Sequence, residues 1–309
     1  MQSRFRSDRR LTVRMGLTLF LLGLLYVGFV AALIVLLRSW LLVVVLIGAM
    51  FVAQFWFSDR IAMFAMRGRV VEREEYPELH AVVDRLCAIA DMPKPVVAVS
   101  EMDMPNAFAT GRNPDHAVVC VTTGLLRRLE PAELEGVLAH ELSHVAHKDV
   151  AVITIASFLG VIAGLLVRFA FYSQIFGGGR RDQNTAAVFA AVLGVSAAVY
   201  AISFLLIRVL SRYRELAADR AAAHLTGRPS ALASALTKVS GDIARIPTKD
   251  LRTAQAFNAF YFTPASGKEP GIERFFSTHP TLEQRLDQLG RISAELGEAA
   301  AGGRRAQER

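Results

Sequence analysis

The sequence predicts a mainly α protein with a small β-sheet, in which an α+β polar domain is joined to about four transmembrane helices. Three observations predict this. Hydrophobic residues make up 53% of the 309 positions and the mean hydropathy is +0.35, above what a soluble chain of this length carries. That surplus is gathered into four long runs rather than spread evenly. Between the runs the composition returns to that of a globular domain, with one amphipathic helical stretch, two β-rich stretches and a helix bearing paired histidines.

The first run, Met15 to Leu37, has 23 residues without a charge, enough to cross a hydrocarbon core of ~30 Å at ~1.5 Å per residue. It is too long for a secretory signal core, and no small-x-small cleavage site follows it, so it is expected to be retained. The second, Trp40 to Phe57, comes after only Arg38 and Ser39, which predicts a tight helical hairpin with Trp40 and Trp56 near the interfaces. The third, Val150 to Tyr172, holds one charge, Arg168, close enough to its end to snorkel. The fourth, Ala186 to Ile207, is uncharged and is separated from the third by the Gly-rich polar loop Ser173 to Thr185. For the last two runs, long buried helices of a soluble domain stay open as an alternative, because their Ala and Gly residues also suit tight packing.

The net charge of +7 comes from 35 Lys and Arg against 28 acids. Its distribution follows the runs. Arg4, Arg6, Arg9, Arg10 and Arg14 precede the first, Arg60, Arg67 and Arg69 follow the second, and Arg208, Arg212 and Arg214 follow the fourth. Excess cations mark cytoplasmic flanks, so both polar segments are expected on the cytoplasmic side of an inner membrane; Arg180 and Arg181 in the third-to-fourth loop run against the trend. Nucleic acid is excluded as a partner, since clustered cations with interleaved aromatics are missing from the polar domain.

In that domain, Leu79, Val82, Val83, Leu86 and Ile89 follow the helical period over Pro77 to Ala90. Pro95 to Ser100 and Ala117 to Thr122 read as strands of a small sheet, joined by Glu101 to His116 with its Pro and Asn breakers. Cys87 and Cys120 sit in apolar surroundings without metal-binding spacing and read as small buried residues. The tail, 294–309, is expected to fray. The organisation is then a basic N-terminus (1–14), a membrane hairpin (15–57), a first polar segment (58–149), a second hairpin (150–207), a second polar segment (208–293) and the tail.

The chemistry is concentrated between Glu130 and Asp149. Pro131 suits a first helical turn, and Leu134, Leu138, Leu142 and Val145 form an apolar stripe. The helix carries His140-Glu141-Leu-Ser-His144. Histidines four apart share a face and can reach one Zn2+, while Glu141 sits beside the metal, placed to take a proton from a water. His147 is too close on the same helix to complete a tetrahedron and reads as surface or second-layer. A hydrolytic zinc site needs a third protein ligand and an open position. Ser211 to His224 reads as a second helix, in which Glu215 and Asp219 are again four apart. Glu215 has the chemistry of the third ligand and Asp219 that of the acceptor orienting an imidazole. Glu141 and Glu215 must then lie on one side of the membrane, which an even number of intervening spans permits.

Four motifs in order, Pro105-Asn-Ala-Phe-Ala-Thr-Gly-Arg112, His140-Glu-Leu-Ser-His144 with Asp149 following, Ser211-Arg-Tyr-Arg-Glu-Leu-Ala-Ala-Asp219 and Phe276-Ser-Thr-His-Pro-Thr-Leu-Glu-Gln-Arg285, resemble those of the HtpX-type membrane metalloproteases. These are gluzincins related to the CAAX prenyl endopeptidases, which have more spans. The resemblance covers most of the chain. It implies a zincin-like catalytic domain, one Zn2+ per subunit on His140, His144 and Glu215, Glu141 as catalytic base, and Asp219 behind a ligand. It further implies a substrate-cleft edge strand around Asn106, Ala107 and Phe108, with His279 and Arg285 near the site in an anion-stabilising role. The implied partners are the lipid bilayer and misfolded membrane-protein or unfolded polypeptide substrates, in membrane protein quality control. The rival class is a non-catalytic zinc-binding membrane scaffold; against it stand the absence of a Cys-rich fourth ligand and the presence of Glu141.

Overall fold

The computed structural model describes residues 9–37, 40–111, 113–176, 183–243 and 279–307. Arg4, Arg6, Arg38, Ser39, Arg180, Arg181 and the Phe276 to Thr278 part of the last motif lie outside the described residues, as does 244–278 of the second polar segment.

Two long helices open the chain, α1 (Arg9–Leu37) and α2 (Trp40–Ala65). The polar segment then gives β1 (Gly68–Val70), α3 (Pro77–Ala90), β2 (Val96–Ser100), β3 (Ala107–Thr110), β4 (Val118–Thr122), α4 (Thr123–Arg128) and α5 (Pro131–Ala146). After α6 (Asp149–Phe176) and α7 (Gln183–Thr226) come α8 (Pro229–Ile243) and α9 (Leu282–Gln307). The expected amphipathic helix and both expected strands are present. Local chemistry explains the helix ends: α3 begins on Pro77 and ends where Asp91 takes the left-handed conformation (φ 52°). In α5, Pro131 opens the first turn, and Glu130 and Glu133 cap each other's backbone N–H groups reciprocally.

The sheet is mixed, in the order β1-β2-β4-β3, with β2 and β4 parallel and the outer pairs antiparallel. Parallel pairing needs a crossover, and the chain from Glu101 to Ala117 supplies it while laying β3 along the far side of β4. β3 ends at Gly111, whose φ of 129° and close approach to the His116 carbonyl leave no room for a side chain. Thr122 N–H donates to the Asn106 carbonyl at 2.9 Å. With Phe108 opposite Cys120 in the register, the backbone groups of Ala107 and Ala109 therefore point away from the sheet. Among the described residues no further strand pairs with that edge, and α5 lies beside it.

The core beneath is apolar and fully buried, with Val83, Leu86, Val119, Val121, Leu138 and Leu142 all excluded from solvent. Each such side chain contributes about 1.5–3 kcal/mol. Cys87 and Cys120 are buried and free, and burial pushes their thiols up to about 11 and about 12.

A second region is a helix bundle in which Phe29 and Leu33 of α1, Phe158, Ile162 and Ala163 of α6, and Val199 of α7 pack together. Glycines let α6 and α7 approach: a Cβ on Gly164 would stand 3.0 Å from the Tyr200 ring. Among the described residues, two helices are long and apolar enough to cross a membrane, over Thr12–Leu36 and Ala186–Thr226. The second and third runs lie in α2 and α6, helices of 26 and 28 residues.

The structure departs from expectation at two places, in α7 and at Arg214. The fourth run and the Glu215 helix, read as two units, form one helix of 44 residues, because no Gly or Pro interrupts the chain between Ala186 and Thr226 apart from Gly194 near its start. α9, which begins at Leu282, takes in the first part of the tail and ends at Gln307. Arg214, counted as an orienting cation, is buried at 5% exposure.

Candidate metal centre

α5 presents His140, Glu141 and His144 towards α7, which supplies Glu215 and Asp219 from the stretch beyond its apolar run. The fold brings these residues together from positions up to 79 apart in sequence because α6 and α7 run out and back between them. His140 Nε2 and His144 Nε2 lie 3.2 Å apart. Glu215 reaches them at 3.6 Å and 3.4 Å. The ligand atoms of His140, His144 and Glu215 all fall within 4.8 Å of one another, a cluster that can hold a metal ion.

What leaves those particular nitrogens facing inward is the occupation of the other ring atoms. His140 Nδ1 is 2.8 Å from Asp219 Oδ1, and His144 Nδ1 is 2.7 Å from Asp149 Oδ2. A Nδ1–H donated to a carboxylate makes Nε2 the lone-pair nitrogen, which is the state a metal requires. Asp219 receives both Arg285 Nε at 2.7 Å and Arg285 Nη2 at 2.6 Å, and Arg285 Nη1 stands 3.8 Å from Glu215. The guanidinium expected to stabilise an anion thus has its fork on Asp219 at 1% exposure. His279, just before α9, places Nδ1 3.1 Å from Glu215 Oε2. His147 is at the surface, its Nδ1–H donating to the Ser143 carbonyl at 2.7 Å.

Electrostatics follow from this crowding. Burial on its own raises Glu215, but the imidazoles of His279, His140 and His144 outweigh it and hold the carboxyl well below the usual range. Burial likewise opposes ionisation of Asp219, and Arg285 overcomes it and keeps that carboxyl low. For His140, burial favours the neutral ring, yet Asp219 and Glu215 together raise it. Glu141 is raised, by burial first, although the Ala109 N–H donates to it and the two histidines act the other way. A carboxyl raised towards neutrality beside a cation site is the setting of a general base. Asn106, Ala107 and Phe108 lie at the start of the edge strand and are buried, with the outward-facing backbone of Ala107 and Ala109 on the Glu141 side.

Two site residues were not assigned from sequence. Asp149 was seen only as a motif position and Arg214 only as a flanking charge. The signal lay in the reversal at Lys148 (φ 56°), which ends α5 and folds the first residue of α6 back onto His144; nothing in the local pattern announces it.

The model of peptidase family M48 matches residues 73–293. A protease HtpX homolog of Streptomyces coelicolor is 86% identical over 304 residues, covering 98% of this chain and all of that protein. A protease HtpX homolog of Moorella thermoacetica is 51% identical over 300 residues, covering 96% of this chain and 99% of that one. The crystal structure of S. mikatae Ste24p superposes with a TM-score of 0.51 at 18% identity, over 91% of this chain and 67% of that one, and so shares the fold. With a family match over most of its length and full-length relatives this similar, the chain belongs to peptidase family M48 and is a membrane metalloprotease.

Proposed function

We propose that the protein is a multi-pass zinc endopeptidase of the inner membrane, its site at the cytoplasmic face, that cuts misfolded or damaged membrane proteins and other unfolded polypeptides. The observation that carries the reading is the convergence of His140, His144 and Glu215, with Glu141 on the same helix as the two histidines and the outer strand β3 beside it. The donor set suits one zinc ion per subunit: two neutral imidazoles fixed at Nδ1 and one carboxylate. Zinc held there supplies polarisation of a carbonyl and acidification of a water molecule. Glu141 takes the proton of the attacking water and passes it to the leaving amine. His279 donates to the oxygen that becomes negative, Asp219 keeps His140 oriented, and Arg285 braces Asp219. An extended substrate adds its backbone to the outward-facing groups of Ala107 and to the Ala109 carbonyl, with Asn106 and Phe108 fixing the strand to the sheet.

The runs at 40–57 and 150–172 join the two apolar helices as four spans, which places Glu141 and Glu215 on the same side. The bundle packing, including the edge-to-face pair Phe51–Phe158 at 5.0 Å, supports this. The testing experiment is cleavage of a casein-like unfolded substrate and of a membrane protein by zinc-loaded wild type and Glu141→Gln, with metal content measured alongside. Expected is one zinc in both and a loss of turnover of about 10²–10⁴-fold in the variant. Equal cutting by both removes Glu141 from the mechanism; one zinc in both and no cutting by either establishes the scaffold instead.

A further inference from the structure

Behind His144 lies a buried charged pair that the proposed hydrolysis does not use. Asp149 is 4% exposed and Arg214 5%. Asp149 Oδ2 is 2.7 Å from His144 Nδ1 and 3.0 Å from Arg214 Nη2. Burying two full charges costs desolvation that their mutual attraction often only just offsets, so such a pair is weak as a source of stability. Its geometry has another use. The same three-part arrangement stands behind the other histidine, where Arg285 holds Asp219 and Asp219 holds His140 Nδ1. Each imidazole is therefore backed by an aspartate that is itself held by a buried arginine.

We infer that Asp149 and Arg214 are positioning residues for His144: Asp149 fixes the tautomer and tilt of the ring, and Arg214 fixes Asp149. This rests on the metal reading above. The placement has a mechanical consequence. Asp149 is the first residue of α6, where the positive end of the helix dipole also favours its charge. Arg214 is on α7, next to Glu215. Both helices continue into the bundle, where α6 and α7 pack on each other and on α1. The bundle thereby holds one ligand directly, Glu215, and a second through its ring, His144. His140 is held by Asp219, also on α7, which Arg285 of the C-terminal helix α9 braces in turn.

Two variants test this in the full-length protein. Asp149→Glu keeps the charge and the pairing with Arg214 but lengthens the tether by one methylene. The double variant Asp149→Asn, Arg214→Gln removes both charges, so neither is left buried alone. Zinc affinity is measured by competition with a chromophoric chelator, and ligand geometry by the visible absorption of the cobalt-substituted protein. Expected for both is a loss of about 10–100-fold in zinc affinity with a shifted cobalt spectrum, and an unchanged melting temperature for metal-free Asp149→Glu. Zinc affinity within about twofold of wild type and an unshifted cobalt spectrum in both overturns the positioning role, whatever happens to melting temperature. If wild type itself takes up no zinc or cobalt, it is the metal reading that fails. Should the double variant not fold, Asp149→Glu alone decides between these outcomes.

Discussion

The two halves of the metal cluster are built alike and anchored differently. On the His140 side the ring is 1% exposed, and Asp219 receives a two-pronged grip from Arg285, one nitrogen on each oxygen. On the His144 side the side chain is 13% exposed, and a single oxygen of Asp149 serves both His144 and Arg214. A fork on both oxygens fixes the plane of the carboxylate, and with it the ring; a shared oxygen leaves the carboxylate a pivot. The rigid half is deep, and there Asp219 of α7 is braced by Arg285 of α9. The half with a pivot is the more exposed one, and there Asp149 of α6 meets Arg214 of α7. The cluster is thus stiffer on its deep side than on its exposed side.

Equal sensitivity of the two halves would break this comparison. The largest effect is expected from Arg285→Leu, which leaves Asp219 buried without its partner and takes a cation from Glu215: about 3–5 kcal/mol of stability is lost. Arg214→Leu should cost roughly 1 kcal/mol less, because Asp149 retains the α6 N-terminus as a partner. Thermal unfolding of both variants in detergent checks this, and matching losses would count against the asymmetry.

The next effect concerns acidity in the metal-free protein. Asp219 and Glu215 are depressed in the fold. Their contribution is therefore present above the ordinary carboxylate values, about 3.9 and 4.3, and is lost as pH falls through the folded values. His140 is raised, so its contribution is complete below about 6.5 and fades as pH rises through its folded value. Glu141, raised by burial, contributes fully only below about 4.3 and fades as pH rises from there, which draws the maximum towards acid. Melting temperature with chelator present should therefore peak between about pH 4 and 6.5. A steady rise up to pH 8 would show that these buried contacts do not govern the stability of the empty site.

The smallest effect sharpens the contrast by serving as a reference. Arg85 and Glu135 form an ion pair at 2.9 Å between α3 and α5, with Arg85 more than half exposed. Arg85→Ala should cost less than about 1 kcal/mol and leave zinc affinity unchanged. A larger loss would mean that pairing of charges, rather than their burial, sets the scale at the site as well.

Much of the fold was legible because its signals are local. The α3 period, the β-rich stretches of β2 and β4, and the proline and capping glutamates of α5 act within a few residues of where they sit. The boundary within α7 was misplaced for an equally physical reason: the change from apolar to charged side chains after Ile207 alters what surrounds the helix, while the backbone has no cause to stop. β1 was not delineated as a strand, and β3 was expected only from the family resemblance, since three or four residues become a strand only through their neighbours' hydrogen bonds. Arg214 looked like one more flanking cation until burial and Asp149 gave it a different task.

By itself, the sequence determined which groups share a helix face: His140 with His144, Glu215 with Asp219, and Glu141 one residue round from the first pair. Helical spacing is a local rule, and those residues obey it wherever the helices go. Only the tertiary structure decided which nitrogen of each ring is available. Those choices are made by Asp219, Asp149, Arg285 and Arg214, through contacts such as the one joining Arg285 to His140 across 145 positions. A ring's tautomer and tilt depend on partners that the chain brings up from another helix, and no spacing within one helix can specify them.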